Sequence, residues 1–296
     1  MTQHIAVLAE EIVEALSPRP GDVVVDGTMG GGGHTRLLAQ RVAPSGTVVA
    51  LDRDAAAVQS AGQWGTGLPV LAVHANYAQL PEVLAEQGLG PVSGIVLDLG
   101  LSSDQLADDA RGFSFRSDGE LDLRFDTTRG EPAWRLVERL SEKHLADLIY
   151  QHGEERHSRR IARRIVARRA AKPIRTAADL ADIIRQAVPR RRDAKIDPAT
   201  RTFQALRIAA NDELRWLETA LRRLPDCLGA EGKLAVISFH SLEDRRVKQA
   251  MRDDPRLEAI TRRPILPTDA ETARNPRSRS AKLRVARRVS GPGSGG

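Results

Sequence analysis

Cysteine is nearly absent: Cys227 is the only one in 296 residues. A lone cysteine excludes an intramolecular disulfide framework and any zinc site built on several thiolates, and it fits a reducing compartment. No metal site is expected. Aromatic residues make up 3% of the chain, so broad platforms for stacking single-stranded RNA are excluded and base stacking must rest on one or two side chains. No apolar run reaches membrane length and no signal peptide is read, so no membrane association is expected and the location should be cytoplasmic. Charge, by contrast, is plentiful. Lys+Arg 45 against Asp+Glu 39 gives net +6 and pI ≈ 9.9, which points toward a polyanionic partner but also fits simple solubility until the distribution decides. The length allows one large α/β domain with an insertion, or two domains.

The chain is organised around Val23-Val24-Val25-Asp26-Gly27-Thr28-Met29-Gly30-Gly31-Gly32-Gly33-His34. Three β-branched residues read as a buried strand closed by an acid, and Thr35-Arg36-Leu37-Leu38-Ala39 begins a helical pattern after the glycines. A plain flexible turn is the bland alternative, but a run of glycines loses backbone entropy that a mere connection need not lose. The run fits neither G-x-G-x-x-G nor the P-loop, because no Gly-Lys-Ser/Thr follows it. It does fit acid-x-x-x-Gly-x-Gly, with Asp26, Gly30 and Gly32, and so resembles the first motif of class I methyltransferases. Thr28 stands where that motif usually has its first glycine. A donor such as S-adenosylmethionine carries no phosphate, so such a loop need only admit close backbone approach.

Further strands follow. Thr47–Asp52 ends in an acid roughly twenty residues past the glycines, where such folds grip ribose hydroxyls; pairing with Arg53 or capping of the helix at Asp54–Ala57 are alternatives for Asp52. Leu68–Tyr77 is a third strand, with Asn76 and Tyr77 at its exit, where an adenine could be stacked and hydrogen-bonded or a tyrosine simply packed. Ser93–Asp98 is a fourth. In a parallel sheet Asp26, Asp52, Asn76 and Asp98 all fall on one edge, the ligand crevice. From about Asp104 to Ala210 no convincing strand is found, and the stretch reads as an inserted helical domain. At its centre Ile161 and Ile165 face inward, surrounded by Arg156, Arg159, Arg160, Arg163 and Arg164, with only Glu154 and Glu155 to answer them. That one-signed face reads as phosphate-contacting rather than merely solvated. Gly232–Phe239 is a fifth strand, and Leu257–Ile265 with Ala281–Val289 a final pair joined by a loop that carries Arg277 and Arg279, a second RNA-binding candidate.

Several segments together resemble one family, the bacterial 16S rRNA (cytosine-N4)-methyltransferases called MraW or RsmH. They are the glycine loop, Leu97-Asp98-Leu99-Gly100 with Ser102-Ser103, Arg111-Gly112-Phe113-Ser114-Phe115, Gly153-Glu154-Glu155-Arg156, Ala199-Thr200-Arg201-Thr202-Phe203-Gln204-Ala205, and Ile237-Ser238-Phe239-His240-Ser241-Leu242-Glu243-Asp244-Arg245. The fold class this implies is α/β, a class I (Rossmann-like) S-adenosylmethionine-dependent methyltransferase sheet with an inserted all-helical domain. The expected boundaries are 1–105 with 211–290 for the sheet domain, 106–210 for the insertion, and 291–296 for a disordered tail. The resemblance also implies a substrate cytidine in the decoding region of the small subunit, within 16S rRNA, and leaves a homodimer open. Carried over residue by residue, it assigns S-adenosylmethionine to Gly32, Gly33, His34, Asp52, Tyr77, Asp98 and Gln105; Asp26 and Gly30 join them from the loop pattern. Tyr77 stands where a phenylalanine is common, which keeps an aromatic face.

A sulfonium is already activated, so the site must chiefly align the nucleophile and exclude water. Methylation at cytosine C5 would need a cysteine nucleophile, and Cys227 precedes the fifth strand, away from the crevice edge. It reads as a packed thiol, which leaves direct transfer to a heteroatom. Asp98, or a carbonyl from Leu99 to Ser102, could hold the protons of an amine. His240 is a candidate for cytosine contact, with a structural hydrogen-bonding role as the alternative. A non-catalytic ribosome-assembly factor that keeps the fold as an RNA-binding scaffold is the competing reading, and an NAD-linked oxidoreductase lacks its fingerprint.

Overall fold

Neighbouring residues of a strand face opposite sides of a sheet, and both sides of this one are buried. Val25, Val49, Leu97 and Val236 pack on one face against Leu80, Val83, Leu217 and Leu224, while Val24, Val48, Val96 and Ala235 pack on the other against Ile12, Leu16, Leu38 and Val42. This two-sided burial explains why the strands read as near-continuous apolar runs instead of alternating ones. The computed structural model describes residues 6–115, 117–189 and 197–289. The tail 291–296, expected to be disordered, lies outside them.

The strands are β1 (Val23–Asp26), β2 (Thr47–Asp52), β3 (Val70–His74), β4 (Val92–Asp98), β5 (Leu228–Ser238), β6 (Leu257–Ala259) and β7 (Lys282–Arg288), in the order β3-β2-β1-β4-β5-β7-β6. The first five pair in parallel, and β7 is antiparallel to both β5 and β6. This is the Rossmann-like sheet expected of a class I methyltransferase. Strand order reverses between β1 and β4, so the crevice at the carboxyl ends opens between Asp26 and Asp98.

The helices are α1 (Ala9–Leu16), α2 (Gly33–Val42), α3 (Ala55–Trp64), α4 (Leu80–Glu86), α5 (Ser103–Ala107), α6 (Ala133–Arg139), α7 (Glu142–Gly153), α8 (Ser158–Ala171), α9 (Ala177–Ala187), α10 (Thr200–Asn211), α11 (Glu213–Cys227), α12 (Ser241–Asp253) and α13 (Asp269–Arg274). Some boundaries differ from those read in the sequence. The third strand stops at His74 because Asn76 caps a 3₁₀ turn over Tyr77–Gln79, with a capping box closed by Gln79. The fifth begins earlier, at Leu228, with a register irregularity against Val92–Gly94.

Contacts divide the chain into two compact units, Met1–Ser102 with Leu214–Gly296, and Ser103–Glu213. The second is helical; its isolated strand-like pairing joins Glu120 and Thr176. Here most of the scarce phenylalanines are used: Phe113 stacks on Phe125 at 5.8 Å between centroids, and Phe115 meets Phe203 edge-on at 4.8 Å. Two of the motif segments also meet in this unit. A Cβ on Gly153 would overlap the Arg201 carbonyl, and Gln204 donates to the His152 carbonyl at 2.9 Å. Glycine at 153 is thus what lets α7 and α10 pack closely.

Candidate active site

The glycine loop between β1 and α2 is braced by two acids. Asp26, fully buried, accepts the Thr28 N–H at 3.1 Å and the Thr35 hydroxyl at 2.7 Å. Burial pushes its carboxyl above the usual range, against the opposing pull of His34 and these hydrogen bonds. Asp52 accepts the Gly30 N–H at 2.7 Å through Oδ2 and the Asp54 N–H at 2.8 Å through Oδ1. Desolvation pushes its carboxyl up to about 6, the two N–H donors opposing. Asp52 therefore does not cap α3; Asp54 does, through the Ala56 N–H at 3.0 Å. The loop turns on Gly30 and Gly32, whose φ values of 49° and 79° lie in the left-handed region that favours glycine. A Cβ on Gly32 would also run into the ring of Trp64, which stacks on the Arg36 guanidinium at 4.4 Å.

Gly33 and His34 open α2. The His34 ring is buried, with Nε2 2.9 Å from the Val7 carbonyl. A carbonyl only accepts, so Nε2 carries the proton, and Nδ1 faces Asp98 Oδ2 at 3.8 Å. Asp98 also accepts the Gly100 N–H through Oδ1 at 3.2 Å, while its own N–H donates to the Thr28 hydroxyl at 2.6 Å. Thr28, the departure from the usual glycine, thus ties the loop to the end of β4.

At the end of β3, Asn76 Oδ1 accepts the Ala78 N–H at 2.9 Å and its own N–H donates to Gln79 Oε1 at 3.0 Å. The amide orientation is fixed by that first bond, and Nδ2 is left buried with no partner among the described residues. Tyr77 is buried beside Gly27, where a Cβ would lie 3.0 Å from the tyrosine Cβ. The structure thus brings Asp26, Gly30, Gly32, Gly33, His34, Asp52, Asn76, Tyr77 and Asp98 to one sheet edge. Gln105 is buried on α5, in the other unit.

His240 lies at the N-terminus of α12, with Nδ1 accepting the Glu243 N–H at 3.4 Å and Nε2 3.1 Å from Glu243 Oε1. Glu243 in turn accepts the Phe239 N–H at 3.0 Å. The cap through Nδ1 is the structural alternative for His240; Nε2, though close to Glu243, makes no hydrogen bond among the described residues.

A profile of the MraW methylase family matches residues 1–289. The chain belongs to that family. It is 50% identical over 299 residues to a Rhodopirellula baltica protein named Ribosomal RNA small subunit methyltransferase H, covering 97% of this chain and 92% of that one. A Deinococcus radiodurans protein of the same name is 51% identical over 98% of this chain and 91% of its own length. Among solved structures, a crystal structure of an rRNA methylase from Streptococcus thermophilus is similar at a TM-score of 0.44 and 12% identity, over 95% of this chain and 94% of that one.

In this member of the family the sole cysteine is remote from the loop. Cys227 ends α11, buried before β5 at the amino edge of the sheet, where desolvation pushes its thiol up to about 11. A thiol so raised is a poor nucleophile at neutral pH. On α8, Arg159, Arg160, Arg163 and Arg164 are exposed around buried Ile161 and Ile165; Arg156, also exposed, lies in the turn before the helix, which starts only at Ser158 because Glu154 ends α7. The acid that answers the face is Glu142 of α7, 3.5 Å from Arg163, whereas Glu155 is buried and accepts the His157 N–H at 2.7 Å. Arg164 bonds Gln186 at 3.1 Å. Arg279 is exposed and Arg277 half-buried. Thr28, Val7 and Trp64 were missed in the sequence; only Thr28 carried a signal, its departure from the motif.

Proposed function

We propose that the chain transfers a methyl group from S-adenosylmethionine to the N4 amine of a cytidine in the decoding region of 16S rRNA, in the small ribosomal subunit and in the cytoplasm. The observation that carries the reading is identity of about half, over nearly the whole length, to relatives named as methyltransferases of small-subunit rRNA. The donor fits the residues present. Asn76 Nδ2 is a buried donor lacking an acceptor among the described residues, a state that costs about 1–3 kcal/mol and that a ring nitrogen of adenine would relieve. The oxygens of Asp52 keep lone pairs free beyond their two N–H bonds, which suits ribose hydroxyls.

When bound, S-adenosylmethionine supplies an electrophilic methyl on a sulfonium leaving group. The chain's own residues supply alignment. Gly32, Gly33 and His34 admit the donor's amino-acid end with Asp98, Asp52 holds the ribose, and Tyr77 with Asn76 holds the adenine. Asp98, or a carbonyl of Leu99 to Ser102, accepts the protons of the cytosine amine and turns its lone pair out of conjugation with the ring. His240 is left to its cap and Cys227 to the core.

Mass spectrometry of nucleosides from small subunits incubated with and without the protein and donor tests the reading: N4-methylcytidine is expected, and methyl at any other position, or none, overturns it. Cys227→Ser is expected to keep the wild-type rate within about twofold; a folded but inactive variant would demand a covalent intermediate. For the insertion, Arg159→Ala with Arg160→Ala is expected to flatten the dependence of log RNA affinity on log salt by about 0.7–0.9 for each phosphate no longer neutralised, leaving donor binding untouched. An unaltered slope would make α8 a solvated face.

A further inference from the structure

Among the described residues, some arginines of the sheet unit are held by acids, and others, including Arg19, Arg41 and Arg222, are not. Arg246, Arg284 and Arg287 are each held by acids: Glu218 at 2.7 Å, Asp244 at 2.7 Å, and Glu231 at 2.7 Å with Glu258 beside it. Arg262, Arg263, Arg274 and Arg279 are exposed and make no ion pair or side-chain hydrogen bond among the described residues. These last four all lie in residues 260–281, between β6 and β7. The segment holds Arg277 as a fifth arginine, against two acids, Asp269 and Glu271. Glu271 is turned inward: its Oε1 accepts the Leu8 N–H at 2.8 Å. The segment also exposes the two aliphatic side chains Ile260 and Leu266, at 49% and 57%.

Its location follows from register. β7 starts at Lys282, opposite Ser238 at the carboxyl end of β5, and the preceding residue of β5, Ile237, is opposite Asp98. The chain leaves β6 at Ala259, opposite Ala286, and the segment rejoins the sheet at the edge that carries Asp98, where Ile265 bridges to Leu283. A short path then runs from this segment toward the site: Glu271 bonds the Leu8 N–H, the neighbouring Val7 carbonyl bonds His34, and the His34 ring lies beside Asp98 with Nδ1 3.8 Å from Oδ2.

We propose that residues 260–281 are a phosphate-binding surface that holds a single-stranded RNA segment, the one carrying the target nucleotide, against the carboxyl edge of the sheet. The inference rests on the RNA substrate proposed above and adds to it a second point of attachment, on the catalytic unit itself. Unpaired arginines on one side of a site suit the backbone of a flexible strand, which contributes charge without sequence. Exposed Ile260 and Leu266 give the sugars and base faces an apolar surface in a chain poor in aromatics. A strand held beside Asp98 is also one from which a base can be turned out to meet the reacting group.

The test uses the full-length protein with Arg262→Gln, Arg263→Gln, Arg274→Gln and Arg279→Gln combined, and a labelled RNA oligonucleotide spanning the decoding region. The salt slope of RNA affinity is expected to fall by about 0.7 for each single-strand phosphate that the variant no longer neutralises. Affinity for S-adenosylhomocysteine, by calorimetry, should stay within about twofold, and the melting temperature should not move, since these side chains bond nothing in the described chain. The double variant Arg262→Gln, Arg263→Gln serves if the quadruple one folds poorly. An unchanged slope in a protein whose slope does respond to Arg159→Ala with Arg160→Ala overturns this inference and leaves the proposed function standing. A wild-type protein that neither binds nor methylates small-subunit RNA overturns the proposed function instead. Unchanged RNA binding together with abolished binding to the assembled subunit would assign the surface to a ribosomal protein, and also overturns the inference.

Discussion

Asp52→Ala is expected to raise the dissociation constant for S-adenosylmethionine roughly ten- to a hundredfold, the equivalent of about 1.5–3 kcal/mol for charge-assisted hydrogen bonds. Two losses add. The ribose hydroxyls lose their acceptor, and the Gly30 N–H, held at 2.7 Å, loses the carboxylate that fixes the loop. Asp52→Asn separates them, because its remaining carbonyl oxygen can still serve one donor. Because burial pushes the carboxyl up to about 6, the ionised form that accepts best is depleted in mild acid. Donor affinity should therefore fall as pH drops through about 6, and the asparagine variant should flatten that profile. Stability runs the other way: a raised carboxyl binds its proton more tightly in the folded state, so its contribution is fully present below the unfolded value of 3.8 and is lost as pH rises through about 6. Calorimetric titrations between pH 5 and 8 measure the first, and urea melts the second. Unchanged affinity in the alanine variant would remove Asp52 from the site.

Gly32→Ala is expected to destabilise the folded chain by about 2–5 kcal/mol. About 1–2 comes from placing a side chain at φ 79°, and about 1–3 from overlap of the new methyl with the Trp64 ring. Trp64→Leu in the same chain should restore the packing part and not the backbone part. Urea midpoints for wild type and both variants measure this. A midpoint equal to wild type in Gly32→Ala would mean that the loop is free to turn differently from the arrangement described. Glycine here therefore has a reason besides ligand approach: an indole from the end of α3 occupies the space.

Much of the sheet was legible because its signals are local. Apolar runs closed by an acid or asparagine mark where β1, β2 and β4 end and where the chain leaves β3, and parallel strands bring such ends to one edge. What was illegible is which end does what. Asp26 and Asp52 look alike in sequence, yet Asp26 is turned wholly inward to Thr28 and Thr35 while Asp52 lies partly open. Thr28 reaches β4 across 70 residues and Leu8 reaches Glu271 across 263. Neither pairing leaves a trace in periodicity, which reports only a residue's own element. His240 shows the same limit in a short range: its cap on Glu243 spans three residues, but a histidine before a helix reads equally as ligand or cap.

The split of the sheet between distant stretches of chain has a consequence for synthesis. β4 ends at Asp98, and its partner β5 begins at Leu228. At about 5–20 residues per second, roughly 7–26 s pass on the translating ribosome before that partner is made. The nascent chain meanwhile exposes the unpaired edge of β4, with its apolar run Ile95-Val96-Leu97, the kind that invites wrong pairing. Residues 103–213, which pack chiefly among themselves, are made in that interval and can fold while the sheet waits. The helical unit then acts as a timer as well as a domain: lengthening it prolongs the exposure of β4, and slowed translation across it should raise the fraction of chains that aggregate.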